Sequence, residues 1–244
     1  MASHQRSAGA GPTRLVAPIV ERAVLREGVD RFRRDVDGRA AGERVIGDVH
    51  ALRDVEHDHQ IVDLAAQRQG RLPESQRQRQ RGLLDAIEQR LPADTQPPRE
   101  SVMAAFAHPA NRVRVVIIGQ DPYPTPGDAI GLAFAIAPGR SLPRSLRNIM
   151  LELAADAVAN PSDFVREPST TGELQRWQDQ GVLLLNRELT LPGNPLWREF
   201  TQIVIERLNL HLDGTLILIL WGANAQQLAT LVSPDRALSS AHPS

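Results

Sequence analysis

Three short apolar runs, VRVVIIG from Val113, GVLLLN from Gly181 and LILILWG from Leu216, constrain the fold of this chain more than any other feature. Each is too short for a stable helix and shows no polar alternation, so each reads as a strand buried on both faces. Between them lie segments with helical spacing. SLRNIMLELAADAVA places Leu146, Ile149, Met150 and Leu153 on one face, and LWREFTQIVIERLNLHL does the same with Trp197, Phe200, Val204 and Leu208. With a weaker fourth run at 237–240, the pattern calls for an α/β fold: a central four-stranded parallel sheet, strands at 113–118, 182–185, 216–221 and 237–240, with helices on both faces.

Composition narrows the function classes. The 28 basic residues are all Arg and nearly balance 29 acidic ones, for a formal charge of -1. No global positive field advertises a polyanionic partner, so nucleic acid would be met by a local patch or by backbone amides. The absence of cysteine removes disulfides, thiolate zinc sites and iron–sulfur clusters. No run approaches the roughly 18 apolar residues of a membrane span, and the N-terminus lacks the apolar core of an export signal. A soluble, cytoplasmic protein is expected.

Two regions differ in character. Residues 1–82 are dense in mixed charge, with a low-complexity ESQRQRQRG, and are expected to be disordered or loosely helical. Within them EHDHQ (His57, Asp58, His59) reads as solvated charge, because neighbouring residues rarely converge on a metal without further ligands. Residues 83–244 are expected to form the α/β domain. It begins with helical spacing at Leu83, Leu84, Ile87 and Leu91, followed by a second short helix in SVMAAFAHP.

Open parallel sheets bind ligands beyond the carboxyl ends of their strands, where the loops converge. There the first strand runs into Gly119, Gln120 and Asp121. The second ends at Asn186, the third meets Gly222, Ala223 and Asn224, and the fourth leads to His242. A carboxylate such as Asp121 can position water or stabilise developing positive charge, though Asp also serves as a turn former. Asn186 offers a donor and an acceptor to a planar base edge, or caps a turn. Phe134 and Tyr123 read equally as packing residues, and His242, near the chain end, as an exposed bystander.

The joint order of GQDPYPTPG, GLAF, LPRSLRNI, GVLLLN with LT, LILILWG and HPS is far more specific than any one residue. Together these blocks resemble the uracil-DNA glycosylases of the main bacterial and eukaryotic family, over residues 84–244, in the form of the signature seen in actinobacteria. The resemblance implies hydrolysis of the N-glycosidic bond of uracil in single- or double-stranded DNA, after the nucleotide is extruded into a pocket. It makes Asn186, Phe134, Tyr123 and Gln120 the uracil-binding residues, with Tyr123 crowding the place of the thymine methyl. Asp121 and His242 become the catalytic pair, Asp121 for the cationic sugar and the water, His242 for the charge growing on the 2-carbonyl oxygen. Ser145, Gly222, Ala223 and Ser244 become phosphate contacts, and no metal or cofactor is called for. A monomer is expected, with a DNA-mimicking inhibitor protein as a further partner.

The chain also departs from the pattern. It stops at HPS, where family members continue with PLSA and the segment carrying a leucine wedge. The connection LTLPGNPLWREF is shorter than usual and lacks a histidine-containing stretch, and Ala223 stands where serine is frequent. A C-terminally truncated enzyme, faster on single strands, is therefore expected, with a weakened or inactive uracil- or DNA-binding domain as the alternative. An unrelated phosphate-binding α/β protein would require GxGxxG or GxxxxGK[ST] after a strand, and neither is present.

Overall fold

A computed structural model describes residues 74–159 and 171–244. The EHDHQ cluster and the rest of the charged N-terminal stretch up to residue 73 lie outside the described residues. Four strands, β1 (Val115–Gly119), β2 (Val182–Asn186), β3 (Ile217–Trp221) and β4 (Ala237–Ser240), form one parallel sheet in the order β2-β1-β3-β4. All five residues of β1, β2 and β3 are buried. Since successive side chains point to opposite faces, both faces of the sheet are covered, as the unbroken apolar runs require.

β1 begins two residues later than its apolar run, because Val113 closes a 3-10 turn at Ala110–Arg112 through its N–H to the Ala110 carbonyl (3.1 Å). It also extends one residue further, to Gly119, which pairs with Asn186 of β2. That last rung sets the functional rim. SVMAAFAHP forms 3-10 turns at Arg99–Ser101 and Ala104–Phe106 rather than a helix, since the flanking Pro98 and Pro109 leave too short a stretch to propagate.

The helices are α1 (Glu74–Glu88), α2 (Arg144–Ala159), α3 (Gln175–Asp179), α4 (Leu196–His211) and α5 (Ala223–Gln226). α1 starts inside the low-complexity ESQRQRQRG and crosses position 82. Gln and Arg are good helix formers, and Leu83 and Ile87 give the helix a buried side, with Arg79 bonded to Glu199 of α4 (3.1 Å). α2 buries Leu146, Ile149 and Leu153, with Met150 partly covered; α4 buries Trp197, Phe200, Val204 and Leu208. The Trp197 indole donates to Thr190 Oγ1 (2.8 Å), and Asn194 Oδ1 accepts the Leu196 N–H (3.1 Å), so the short connection into α4 is closed by its own polar groups. Among the described residues no helix is long and apolar enough to cross a membrane.

From β1 the chain moves outward to β2, then crosses back over β1 to β3. The loops leaving β1 and β3 therefore diverge to opposite faces, and a crevice opens between them at the carboxyl edge.

Candidate functional site

In that crevice lies a cavity of about 210 Å³. This is below the roughly 300 Å³ at which sites for drug-sized ligands begin, and suits a single ring. Gln120, Asp121, Tyr123, Phe134, Ser145, Asn186 and His242 all line it. Four separate stretches of chain thus deliver their polar and aromatic groups to one hollow.

Asn186 is buried, its side chain makes no hydrogen bond with the described residues, and it lies in the cavity wall. It fits because its partner across the ladder is glycine: a Cβ on Gly119 would overlap Asn186 Oδ1 and come within 2.9 Å of Ala133 Cβ. An unpaired buried amide is costly, and here its outlet is the cavity.

Phe134 takes the left-handed conformation (φ 63°), unusual for an aromatic residue. Its ring packs edge-on against Trp221 at 5.2 Å and lies 6.0 Å from the His242 ring. Tyr123 donates its hydroxyl to the Phe134 carbonyl (3.0 Å), which ties the GQDPY loop to GLAF and holds the phenol at one side of the hollow. Burial raises the Tyr123 pKa above the usual phenol value, so it stays a neutral donor.

Burial, with the Glu188 charge next, raises the pKa of Asp121 above the ordinary aspartate value, and a hydrogen bond from Gln120 pulls the other way. His242 is lowered by burial. Its Nδ1 accepts the Ser244 backbone N–H at 3.2 Å and lies 2.9 Å from Ser244 Oγ. An acceptor at Nδ1 leaves the proton of the neutral ring on Nε2. The terminal stretch is tethered: Asn148 of α2 donates to the Pro243 carbonyl (2.7 Å), Gln226 donates to the Ser240 carbonyl (2.8 Å), and Pro243 is buried. Gly222 (φ 84°) brings its backbone against His242, where a Cβ would sit 3.2 Å from His242 Cβ.

Gly222, Ala223 and Ser244 do not line the cavity, although Gly222 and Ser244 both touch His242. Ala223 is exposed at the start of α5. Sequence reading missed Asn148 and Glu188, and placed Asn224 at the rim without giving it a role. Asn224 Nδ2 donates to Gln120 Oε1 (2.9 Å), while the Arg198 guanidinium holds Glu188 at 2.7 Å. Nothing in the spacing of these residues announces the contacts, which exist only because strand ends and the start of α2 meet in the fold. Among the described residues no group of His, Asp and Glu is arranged to hold a metal ion.

Fold and site together define an α/β domain with a one-ring polar pocket at a topological switch point. The profile described as "Uracil DNA glycosylase superfamily" matches residues 106–244, and the chain belongs to that family. Similar curated proteins are the uracil-DNA glycosylase of Parafrankia sp. (48% identity over 158 residues, 61% of this chain and 66% of that protein), uracil-DNA glycosylase 1 of Streptomyces avermitilis (46%, with the same coverage) and the uracil-DNA glycosylase of Corynebacterium efficiens (42% over 156 residues, 61% and 63%). The chain spans just under two thirds of the length of these relatives. Among solved structures, a mimivirus UNG variant in complex with UGI aligns with TM-score 0.52 at 28% identity, over 68% of this chain and 64% of that one. The Nitratifractor salsuginis UNG structure aligns with TM-score 0.51 at 24% identity, over 79% and 90%, a likeness of fold.

Proposed function

We propose that this protein hydrolyses the N-glycosidic bond between uracil and deoxyribose in DNA, releasing uracil and leaving an abasic site for repair. The observation that carries the reading is the convergence of Asp121, Phe134, Asn186 and His242 on one cavity sized for a pyrimidine. The uracil-bearing nucleotide swings out of the stack to enter it. The Phe134 ring stacks on the base, Asn186 pairs with its polar edge, Gln120 adds to the uracil contacts, and Tyr123 occupies the room a 5-methyl group would need. Cytosine presents the opposite polarity to Asn186 and leaves buried groups unpaired.

As the C1′–N1 bond lengthens, the electron pair leaves with uracil and the sugar becomes cationic. Neutral His242, with its proton on Nε2, donates to the 2-carbonyl oxygen where negative charge collects. Asp121 stabilises the cation and orients the water whose oxygen bonds to C1′; the proton that water loses passes through Asp121 to solvent, and the departing uracil anion takes up a proton. Ser145, the Ala223 N–H at the start of α5 and the Ser244 hydroxyl hold flanking phosphates, contacts that position without a strongly basic surface; the Gly222 N–H is taken up by the Ser240 carbonyl (3.0 Å), so Gly222 serves there through its backbone shape. We extend the reading to a cytoplasmic monomer and, since a structural neighbour is a complex with UGI, to binding by an inhibitor protein that mimics DNA.

The test is incubation with a 5′-labelled single-stranded oligonucleotide carrying one uracil, followed by alkaline cleavage and a denaturing gel. Cleavage at the uracil that is lost in Asp121→Asn and His242→Ala supports the assignment. No release with enzyme in excess over substrate overturns it.

A further inference from the structure

The edge of the site holds a contact that none of the roles above uses. Asn224 stands on α5 just after β3, and its Nδ2 donates to Gln120 Oε1 at 2.9 Å. Its own carbonyl accepts from Arg187 Nη1 (3.0 Å), directly after β2. The Arg187 and Glu188 N–H groups bind the Gly119 and Gln120 carbonyls at 2.9 and 3.0 Å, at the end of β1. The ends of three strands are thus locked on Gln120, by its backbone and by its side chain.

An amide side chain has two faces of opposite polarity, and rotation by half a turn exchanges them. With Oε1 occupied by an Asn224 donor, Gln120 is left with its Nε2–H groups to offer Asp121, its neighbour in the cavity wall, and a hydrogen bond from Gln120 acts to lower the Asp121 pKa. The opposite rotamer would set an amide oxygen against the carboxylate. We propose that Asn224 is a positioning residue: its side chain fixes the orientation of Gln120, so that Gln120 donates to Asp121 and holds that carboxylate in place. This inference rests on the role proposed for Asp121 and adds a residue that acts through two others without touching the nucleotide.

The charged groups around Asp121 do not duplicate the effect. Glu188 carries like charge and is bound by Arg198 of α4. Arg187 is directed to the Asn224 carbonyl, and His242, whose pKa burial lowers, lines the same cavity as a neutral ring. Gln120 is the neutral donor to Asp121, and Asn224 decides which way it points.

Asn224→Asp is nearly isosteric and offers only acceptors, so Gln120 must turn its Nε2–H groups towards residue 224 and its oxygen towards Asp121. Asn224→His keeps an N–H donor. Asn224 is exposed, so neither change disturbs the core. Uracil release from single-stranded substrate should fall about tenfold in kcat for Asn224→Asp, the scale of one hydrogen bond to a charged group, with KM within about twofold. Asn224→His should stay near the parent enzyme. Carbon-13 NMR titration of the Asp121 carboxylate should place its midpoint higher than in the parent in Asn224→Leu, which removes the donor without adding a charge; in Asn224→Asp the new carboxylate raises it by repulsion in any case. An unmoved midpoint in Asn224→Leu, or a kcat loss shared equally by Asn224→Asp and Asn224→His, overturns the proposal. If the parent protein releases no uracil, the function proposed above falls, while the carboxylate titration still decides whether Asn224 orients Gln120.

Discussion

Replacing Gly119 by alanine tests the site at its tightest point. Gly119 lies in a strand with no left-handed requirement, so its backbone suits alanine and any effect comes from the added methyl group. That methyl would overlap Asn186 Oδ1, with Ala133 Cβ at 2.9 Å on its other side. Ala133 is fully buried and its N–H is bonded to the Leu184 carbonyl (3.1 Å), so it has nowhere to go. Asn186 must rotate into the cavity. Overpacking of this kind costs about 1–3 kcal/mol, which for a domain of this size lowers Tm by about 2–12 °C. The catalytic cost is larger in proportion. A displaced Asn186 loses its two polar contacts to the base, at roughly 1–1.5 kcal/mol each, so kcat/KM for uracil release should fall about 10²-fold. The assay is initial rate on a single-stranded uracil oligonucleotide at sub-saturating concentration, beside thermal unfolding of the same preparation. A Tm loss in the expected range with kcat/KM within about threefold of the parent would refute recognition by Asn186. An unchanged Tm would refute the packing argument itself.

Other perturbations separate the remaining roles. Asp121→Asn should lose about 10²–10⁴-fold in kcat without losing stability at neutral pH. The folded-state pKa of Asp121 is raised, so the folded protein binds more protons than the unfolded chain above pH 3.8, and stability falls as pH rises through that interval. The variant escapes this penalty; its Tm should match or exceed the parent's at pH 7, the difference closing as pH falls below 3.8, as followed by thermal melts across pH. Tyr123→Ala should open room for a 5-methyl group and create measurable thymine release, read on a thymine-containing oligonucleotide that the parent leaves intact. Asn148→Ala removes the 2.7 Å tether on Pro243; activity should fall several-fold through His242, and proteolysis of the last residues should quicken, as read by mass spectrometry.

Much of this molecule was legible from local pattern. A strand covered on both faces has to be apolar at every position, so VVIIG, VLLLN and ILILW announced themselves, and helical periodicity marked α2 and α4. The rim residues Gln120, Asp121, Asn186 and His242 were readable because each directly follows a buried run or closes the final strand's exit. α1 was less visible, since ESQRQRQRG carries little apolar signal and docks through Leu83 and Ile87 near its end. Glu188 and Asn148 gave no signal, and Asn224 was visible only as one more polar group at the rim, because an exposed polar side chain looks the same whether it faces water or a partner about a hundred residues away, as Asn224 does with Gln120.

The sequence by itself determined the layers, the parallel sense of the sheet and the edge where chemistry gathers, because these follow from hydrophobic spacing along neighbouring residues. Tertiary structure alone decided that Asn186 lies over Gly119, that Ser244 sets the tautomer of His242, and that Asn224 grips Gln120. Those contacts depend on strand order and register, which bring distant segments within hydrogen-bond reach, and no short-range pattern encodes a distance between chain segments that meet only after folding.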